Sequence, residues 1–211
     1  MTKNRNLYGK AQQLHNYILS LPDFPEVTEA VGSYNHMGAT LTDAVLQAGV
    51  NYQRTVLPRV KQVLKDFPEV RTTRGFQALV EEQGADKILN WKEGAKPQRL
   101  RDLLQLLIKE QVETEPELLR WLQQEGHPAQ LQAIKGVKTK TSNYLLILCG
   151  DPDAVAVDVN LRTYFQWAEI SVQGDEELSA IVVATAQLRG VSPAALDHAI
   201  WRYVASKPKR N

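Results

Sequence analysis

Apolar side chains recur at helical spacing along almost the whole chain, and this pattern limits the possible folds more than any other feature. The segment that starts at Pro97 shows it most clearly. Its apolar face is formed by Leu100, Leu103, Leu104, Leu107 and Ile108. No segment alternates apolar and polar residues over a length that a sheet would need, and the apolar run 154–157 is too short for one. The sequence therefore predicts an all-α fold with about ten helices.

The composition is that of a soluble globular protein and excludes few functions by itself. The chain has 211 residues, of which 43% are hydrophobic and 23% charged, and its formal net charge is +1. No run approaches the roughly 18 apolar residues of a membrane span. The first twenty residues also lack the apolar centre of a secretory signal. We therefore expect a cytoplasmic protein with no membrane partner.

Residues 131–165 combine two predicted helices, a tight turn and an acid. The turn at 136–139 contains a glycine and leads into a strongly apolar helix at about 140–149. After a break, the run 154–157 ends in Asp158, at the start of another predicted helix. The backbone N–H groups at the start of a helix bind phosphate well. The pattern therefore predicts a phosphate-binding turn near a carboxylate.

The segments IKGVKTKTSNYLL and VAVDVNLR resemble the helix-hairpin-helix motif and the following Asp segment of the endonuclease III superfamily of DNA glycosylases. In the members that also cut the strand, the motif lysine and this aspartate lie eighteen positions apart, as Lys140 and Asp158 do. The resemblance implies a base excision repair enzyme acting on double-stranded DNA that carries a damaged base or an abasic site. It assigns Lys140 as the nucleophile of an AP lyase and Asp158 as the stabilising carboxylate.

This chemistry needs these two residue types. Breaking the glycosidic bond gives an electron-poor, oxocarbenium-like sugar, which a carboxylate stabilises. A lysine amine can then attack the sugar carbon and form a Schiff base. Considered alone, Asp158 is also a common helix N-cap residue, and Lys140 is also an ordinary solvated lysine in a first helical turn.

The resemblance also assigns the DNA contacts. The hairpin residues concerned are Lys135, Gly136, Val137, Lys138, Thr139 and Thr141. Gln53 lies in a predicted loop at the place where relatives carry a glutamine that fills the gap left by a flipped base. The alternative for Gln53 is an ordinary surface glutamine.

The family layout implies two helical lobes with the active cleft between them. Residues 39–152 would form a six-helix lobe that ends in the hairpin, and residues 1–38 with 153–211 would form the second lobe. Many relatives hold an iron–sulfur cluster, but a single cysteine, Cys149, cannot do so. We expect no metal and no cofactor, and a monomer associated with the nucleoid.

Three positions depart from the family pattern. Lys138 replaces the second glycine of the hairpin, Ser142 replaces an alanine, and Asn160 replaces a histidine. If position 138 required a positive φ angle, lysine would cost about 1 kcal/mol or more there. Lys138 and Asn160 favour an alternative function, a non-catalytic or monofunctional DNA-binding protein. A third alternative is an all-α protein-interaction module that carries the motif by chance.

Overall fold

The computed structural model describes residues 2–29, 32–92 and 94–208, and all regular structure within them is helical. It contains twelve α-helices and one π-helical segment, and the described residues form no strand. The prediction of an all-α fold is confirmed.

The twelve helices follow one another along the chain without an intervening strand in the described residues. They are α1 (Thr2–Leu19), α2 (Met37–Leu46), α3 (Leu57–Asp66), α4 (Thr73–Gln83), α5 (Ala85–Ile88), α6 (Lys96–Lys109), α7 (Glu115–Leu122), α8 (His127–Gln132), α9 (Thr139–Leu148), α10 (Val159–Trp167), α11 (Asp175–Arg189) and α12 (Pro193–Ser206). The π-helical segment, Tyr52–Val56, leads directly into α3.

The chain divides into two compact units. One consists of Met1–Val31 with Asp151–Asn211, and the other is Gly32–Gly150. The division falls a few residues before each of the two lobe boundaries that the sequence suggested, at 38–39 and at 152–153. Of the predicted lobe ranges, residues 1, 30, 31, 93 and 209–211 lie outside the description.

The first unit is built from α1 and the three helices α10 to α12. Helix α1 packs along α11, and α10 packs on α12. Tyr164 of α10 is fully buried at the centre of an aromatic cluster. Its ring centre lies 5.4 Å from that of Tyr17 and 5.8 Å from that of Tyr203, both in edge-to-face geometry. The two segments that form this unit are therefore joined by a shared core.

The helix ends of the first unit agree with the sequence. Asp158 is the N-cap of α10, and its Oδ1 accepts the N–H of Leu161 at 2.9 Å. Ser192 caps α12 in the same way through the N–H of Ala195. Gly190 ends α11 in the left-handed conformation, with a φ angle of 67°. Each of these residues belongs to a type that favours its position, so local sequence chemistry accounts for the three ends.

The second unit is organised around α2, since all ten residues of this helix are buried. Helices α3, α4, α6 and α9 and the π-helical segment all pack against it. Leu41, Val45 and Leu46 of α2 are fully buried in the core. A helix enclosed on all sides must also bury its polar residues, which then need hydrogen-bond partners.

The N-cap of α2 is not one of the threonines in this part of the sequence. Thr40 and Thr42 belong to a residue type that commonly caps helices, but α2 starts earlier, at Met37, and its N-cap is His36. The His36 Nδ1 atom accepts the N–H of Ala39 at 3.1 Å. Its Nε2 atom lies 2.8 Å from the carbonyl oxygen of Phe67 and must be the donor, because Nδ1 is the acceptor.

Glu115, the first residue of α7, explains why α2 starts at Met37. This buried carboxylate accepts the backbone N–H of Asn35 at 2.9 Å and that of His36 at 3.2 Å. It also accepts the hydroxyl of Thr40, which lies in the first turn of α2 and not at its cap position. One carboxylate, 75 or more positions away in sequence, thus fixes the start of the central helix.

We expect Glu115→Ala to destabilise the second unit strongly. It leaves two backbone N–H groups and one hydroxyl without their acceptor, and each such loss costs about 1–3 kcal/mol. The free energy of unfolding, measured in urea, should fall by about 3 kcal/mol or more. Glu82→Ala, on the exposed face of α4, is the control and should change it by less than about 0.5 kcal/mol. Equal effects of the two substitutions would contradict this account.

Candidate nucleic-acid interface and lysine site

A tight turn joins α8 to α9 and contains the predicted hairpin glycine. The N–H of Val137 donates to the carbonyl of Ile134 at 3.0 Å, which closes the turn. Gly136 has a φ angle of 87° at the third position of this turn. Type II turns require a positive φ there, which glycine adopts without steric cost. The glycine is therefore required by the turn itself.

Arg99 of α6 gives a second reason for glycine at 136. Its Nε atom donates to the carbonyl of Lys135 at 3.0 Å, and its guanidinium covers the turn. A Cβ atom added to Gly136 would lie 1.8 Å from Nη2 of Arg99. No sequence pattern indicated this arginine, because it lies on another helix, 36 positions before Lys135.

The lysine at position 138 carries no conformational cost. Lys138 is the N-cap of α9, with φ −134° and ψ 177°, an extended conformation that any residue adopts. The strain considered for a positive φ angle therefore does not arise. The side chain is exposed and makes no cap hydrogen bond.

The other predicted hairpin contacts differ in their exposure. Lys135, Gly136 and Thr139 are exposed. Val137 and Thr141 are buried, with 3% and 6% of their surface accessible. These two residues therefore offer little surface for direct contact with a ligand.

The predicted loop around Gln53 is wrong, because this residue lies in the π-helical segment Tyr52–Val56. Asn51 caps the segment, and its Oδ1 accepts the N–H of Arg54 at 2.9 Å. The polar residues around Gln53 therefore do not interrupt the helical structure but continue it as a wider, π-helical turn. Such turns often occur at functional sites. Gln53 itself is exposed.

Lys140 is half-buried rather than fully solvated. Its Nζ atom donates to Oε1 of Gln47 on α2. The same atom lies 5.1 Å from the ring centre of Tyr144, in the geometry of a cation–π contact. The predicted nucleophile is therefore held by defined contacts within the second unit.

Next to this lysine, three tyrosine hydroxyls converge on one carboxylate. Asp43 of α2 is completely buried. Its Oδ2 accepts the hydroxyls of Tyr34 at 2.7 Å and Tyr52 at 2.8 Å. Its Oδ1 accepts the hydroxyl of Tyr144 at 3.0 Å. We call these four residues the Asp43 cluster.

The cluster was missed by sequence reasoning. Asp43 and Tyr144 lie 101 positions apart in the sequence, and no motif links the four residues. The only local signal is an aspartate inside the apolar helix α2, since a carboxylate is seldom fully buried without partners.

The pKa values within the cluster reflect burial and mutual charge. Burial raises the pKa of Asp43, while the three tyrosine hydroxyls and the charge of Lys140 act in the opposite direction. Burial, followed by the charge of Asp43, raises the pKa of Tyr34 and Tyr144 and raises that of Tyr52 to about 12.

Asp158 belongs to the other unit, where it is half-buried. One of its oxygens serves as the N-cap of α10, as described above. The ordinary structural role considered for Asp158 is thus confirmed. A cap fixes the direction of a carboxylate and is compatible with a second role.

The fold and these sites define an all-α protein with two compact helical units and a lysine beside a buried carboxylate. The chain belongs to a family described as a domain of unknown function (DUF8548), which matches residues 13–205. No curated protein and no solved structure matches the chain. Among the described residues, no helix is long and apolar enough to cross a membrane. The same residues contain no group of three or more His, Cys, Asp or Glu side chains that could hold a metal ion.

We expect Gly136→Ala to strain the turn. A positive φ angle costs a residue with a Cβ atom about 1–2 kcal/mol, and here the Cβ atom also displaces Arg99. Gly94 is the matched control, because it has the same φ angle of 87° but no atom within 4 Å of an added Cβ. In urea unfolding, Gly136→Ala should lose more stability than Gly94→Ala. Equal losses would show that Arg99 moves away without cost.

The Asp43 cluster also predicts how stability depends on alkaline pH. A tyrosine whose pKa is raised by folding stabilises the folded state, and this contribution is lost as the pH rises through about 10 and upwards. Of the seven tyrosines, those of the cluster should ionise only as the protein unfolds. Phenolate absorbance, recorded together with circular dichroism, measures this late phase.

Tyr52→Phe should reduce the amplitude of the late phase, whereas Tyr8→Phe, at an exposed position on α1, should not. Ionisation of the cluster tyrosines before any loss of helix would contradict the geometry.

Proposed function

We propose that this protein is a DNA repair glycosylase with AP-lyase activity, and that α8, the turn and α9 act as a helix-hairpin-helix motif. The observation that carries the proposal is the position of Lys140. A glycine turn leads directly into α9, and the second residue of that helix is a half-buried lysine held beside polar groups. The spacing between Lys140 and Asp158 supports the same assignment.

In this proposal, the turn binds a DNA phosphate. The first N–H groups of a helix have no partner within the helix and attract anions. Lys135 and Lys138 are exposed around this helix start, and Arg99 lies over the turn. Cations are unfavourable near a helix N-terminus, and a bound phosphate offsets that cost. Such contacts position the duplex without reading its sequence.

The proposed reaction assigns a role to each remaining residue. The Lys140 amine attacks the sugar carbon C1′ of the damaged nucleotide, the base leaves with its bonding electrons and takes up a proton, and the nitrogen loses one. The nitrogen lone pair then expels the ring oxygen O4′, which is protonated as the sugar ring opens, and this gives the protonated Schiff base. Loss of a proton from C2′ then breaks the C3′–O bond and releases the 3′ phosphate. Asp158 stabilises the positive charge that develops on the sugar, and Gln53 fills the space left by the extruded nucleotide.

A second candidate is a DNA-binding protein without lyase chemistry. The observation that favours it is the surroundings of Lys140. The Gln47 oxygen, the Tyr144 ring face and the charge of Asp43 all favour the ammonium form, whereas attack requires a neutral amine. In this candidate Lys140 contributes only a positive charge to phosphate binding.

Borohydride trapping on duplex DNA with an abasic site separates the two candidates. If Lys140 is the nucleophile, wild type should form a covalent complex, and Lys140→Ala should reduce its yield more than about 100-fold, as the loss of a covalent nucleophile does. Lys138→Ala is the matched control two residues away. It should retain trapping at saturating DNA, bind more weakly and lower the salt dependence of binding by about one phosphate contact.

The other outcomes are equally informative. Salt-dependent duplex binding without trapping, and without base release from oxidised, alkylated or deaminated duplexes, would favour the second candidate. Failure to bind duplex DNA even at low salt would exclude both and favour a protein-interaction module. Residual trapping in Lys140→Ala equal to that of wild type would refute the assignment of Lys140.

A further inference from the structure

Two pairs of residues face each other across the contact between α2 and α9, which pack together. Asp43 and Gln47 lie four positions apart on α2, and Lys140 and Tyr144 lie four positions apart on α9. Residues at this spacing share one face of a helix. Tyr144 donates to Asp43, and Lys140 donates to Gln47. Lys140 and Asp43 therefore belong to two neighbouring hydrogen-bonded pairs in one polar contact between α2 and α9.

The hydrogen bonds of Asp43 show that this polar contact is centred on a carboxylate. An ionised carboxylate only accepts hydrogen bonds, and three hydroxyls from three parts of the chain donate to its two oxygens. A buried carboxylate is costly unless it is both hydrogen-bonded and matched by a positive charge. The hydroxyls supply the hydrogen bonds but no charge.

We propose that Asp43 is the buried counter-charge of Lys140 and a positioning residue for its amine. The carboxylate fixes Tyr144 by its hydroxyl, and the ring of Tyr144 lies beneath the amine. Asp43 therefore acts on the lysine in two ways, through the placement of that ring and through its charge. The catalytic meaning of this inference rests on the proposed lyase function, but the charge relation does not.

The other charged or titratable groups around α2 are directed elsewhere. Glu115 of α7 contacts the start of the helix at Thr40. Lys96 of α6 donates to the carbonyls of Leu46 and Ala48 at its opposite end. Helices α3 and α4 contribute apolar core residues, among them Val60, Val63 and Phe76. The groups that act on the Asp43 carboxylate are the three tyrosines of the cluster and Lys140.

The charge relation can be measured without DNA by competitive labelling of amines across a pH series, with each lysine quantified by mass spectrometry. Asp43→Asn keeps an oxygen acceptor for the tyrosines but removes the negative charge. We expect the midpoint of Lys140 labelling to move to lower pH. At a pH below the midpoint, its labelling rate should rise about tenfold for a shift of one pH unit. Lys135 and Lys138, which are exposed, are internal controls and should not change.

Loosening of the fold would look different from loss of the counter-charge. A looser structure raises the labelling rate of Lys140 on the alkaline plateau, whereas loss of the charge moves the midpoint. An unchanged midpoint in a folded Asp43→Asn protein would overturn the proposal.

A second variant covers the case in which Asp43→Asn does not fold. Charge coupling is reciprocal, so removal of the ammonium must affect the carboxylate by the same amount. In Lys140→Met, the ionisation midpoint of Asp43, followed by the carboxyl carbon signal in NMR, should move upwards. No movement would overturn the proposal as well.

Failure of this inference and failure of the proposed function can be told apart. A shifted labelling midpoint without any borohydride-trapped complex would retain the counter-charge and reject the lyase. If both hold, the pH profile of trapping in Asp43→Asn should move towards lower pH together with the labelling midpoint. Trapping in wild type with no shift in Asp43→Asn would retain the lyase and reject the role of Asp43.

Discussion

The complete burial of α2 is the constraint on which the second unit depends. A helix without a solvent face must satisfy its polar groups inside the core. This chain does so at three places along α2, although the buried hydroxyl of Thr42 has no hydrogen-bond partner among the described residues. Glu115 holds the start of the helix, the tyrosines hold Asp43 in its middle, and Lys96 donates to carbonyls at its end. Burial, and then the neighbouring charges of Arg99 and Arg59, lower the pKa of Lys96 to about 8. The surrounding elements are thus fixed by polar contacts as well as by apolar packing.

The exposed turn is connected to this buried helix through α9. One face of α9 carries Lys140 and Tyr144, which bond to α2, while its start lies at the exposed Lys138. From the other side, α6 sends Arg99 over the turn. A turn held in this way has a defined backbone before any ligand arrives, and preorganised donors lose less entropy on binding.

Hydrogen bonds between residues close in the sequence could be predicted from it, and hydrogen bonds between distant residues could not. The box formed by Thr114 and Glu117 and the cap at Asp158 were predictable, because each involves residues three positions apart. The hydrogen bonds between Glu115 and the start of α2 were not predictable, and they place that start at Met37. Likewise, Lys138 could be recognised as a departure from a pattern, but only its backbone geometry showed that it costs nothing. A sequence pattern identifies such residues singly, whereas only the fold shows which of them are in contact.

The contacts that position Lys140 also oppose the chemistry proposed for it. The Gln47 oxygen, the Tyr144 ring and the Asp43 charge stabilise its ammonium form, and a phosphate at the start of α9 would add to that effect. An attacking amine must therefore lose its proton and leave these contacts. In the structure the amine lies against Gln47 and Tyr144. If Asp43 is its counter-charge, as proposed, removal of that charge makes the loss of the proton easier.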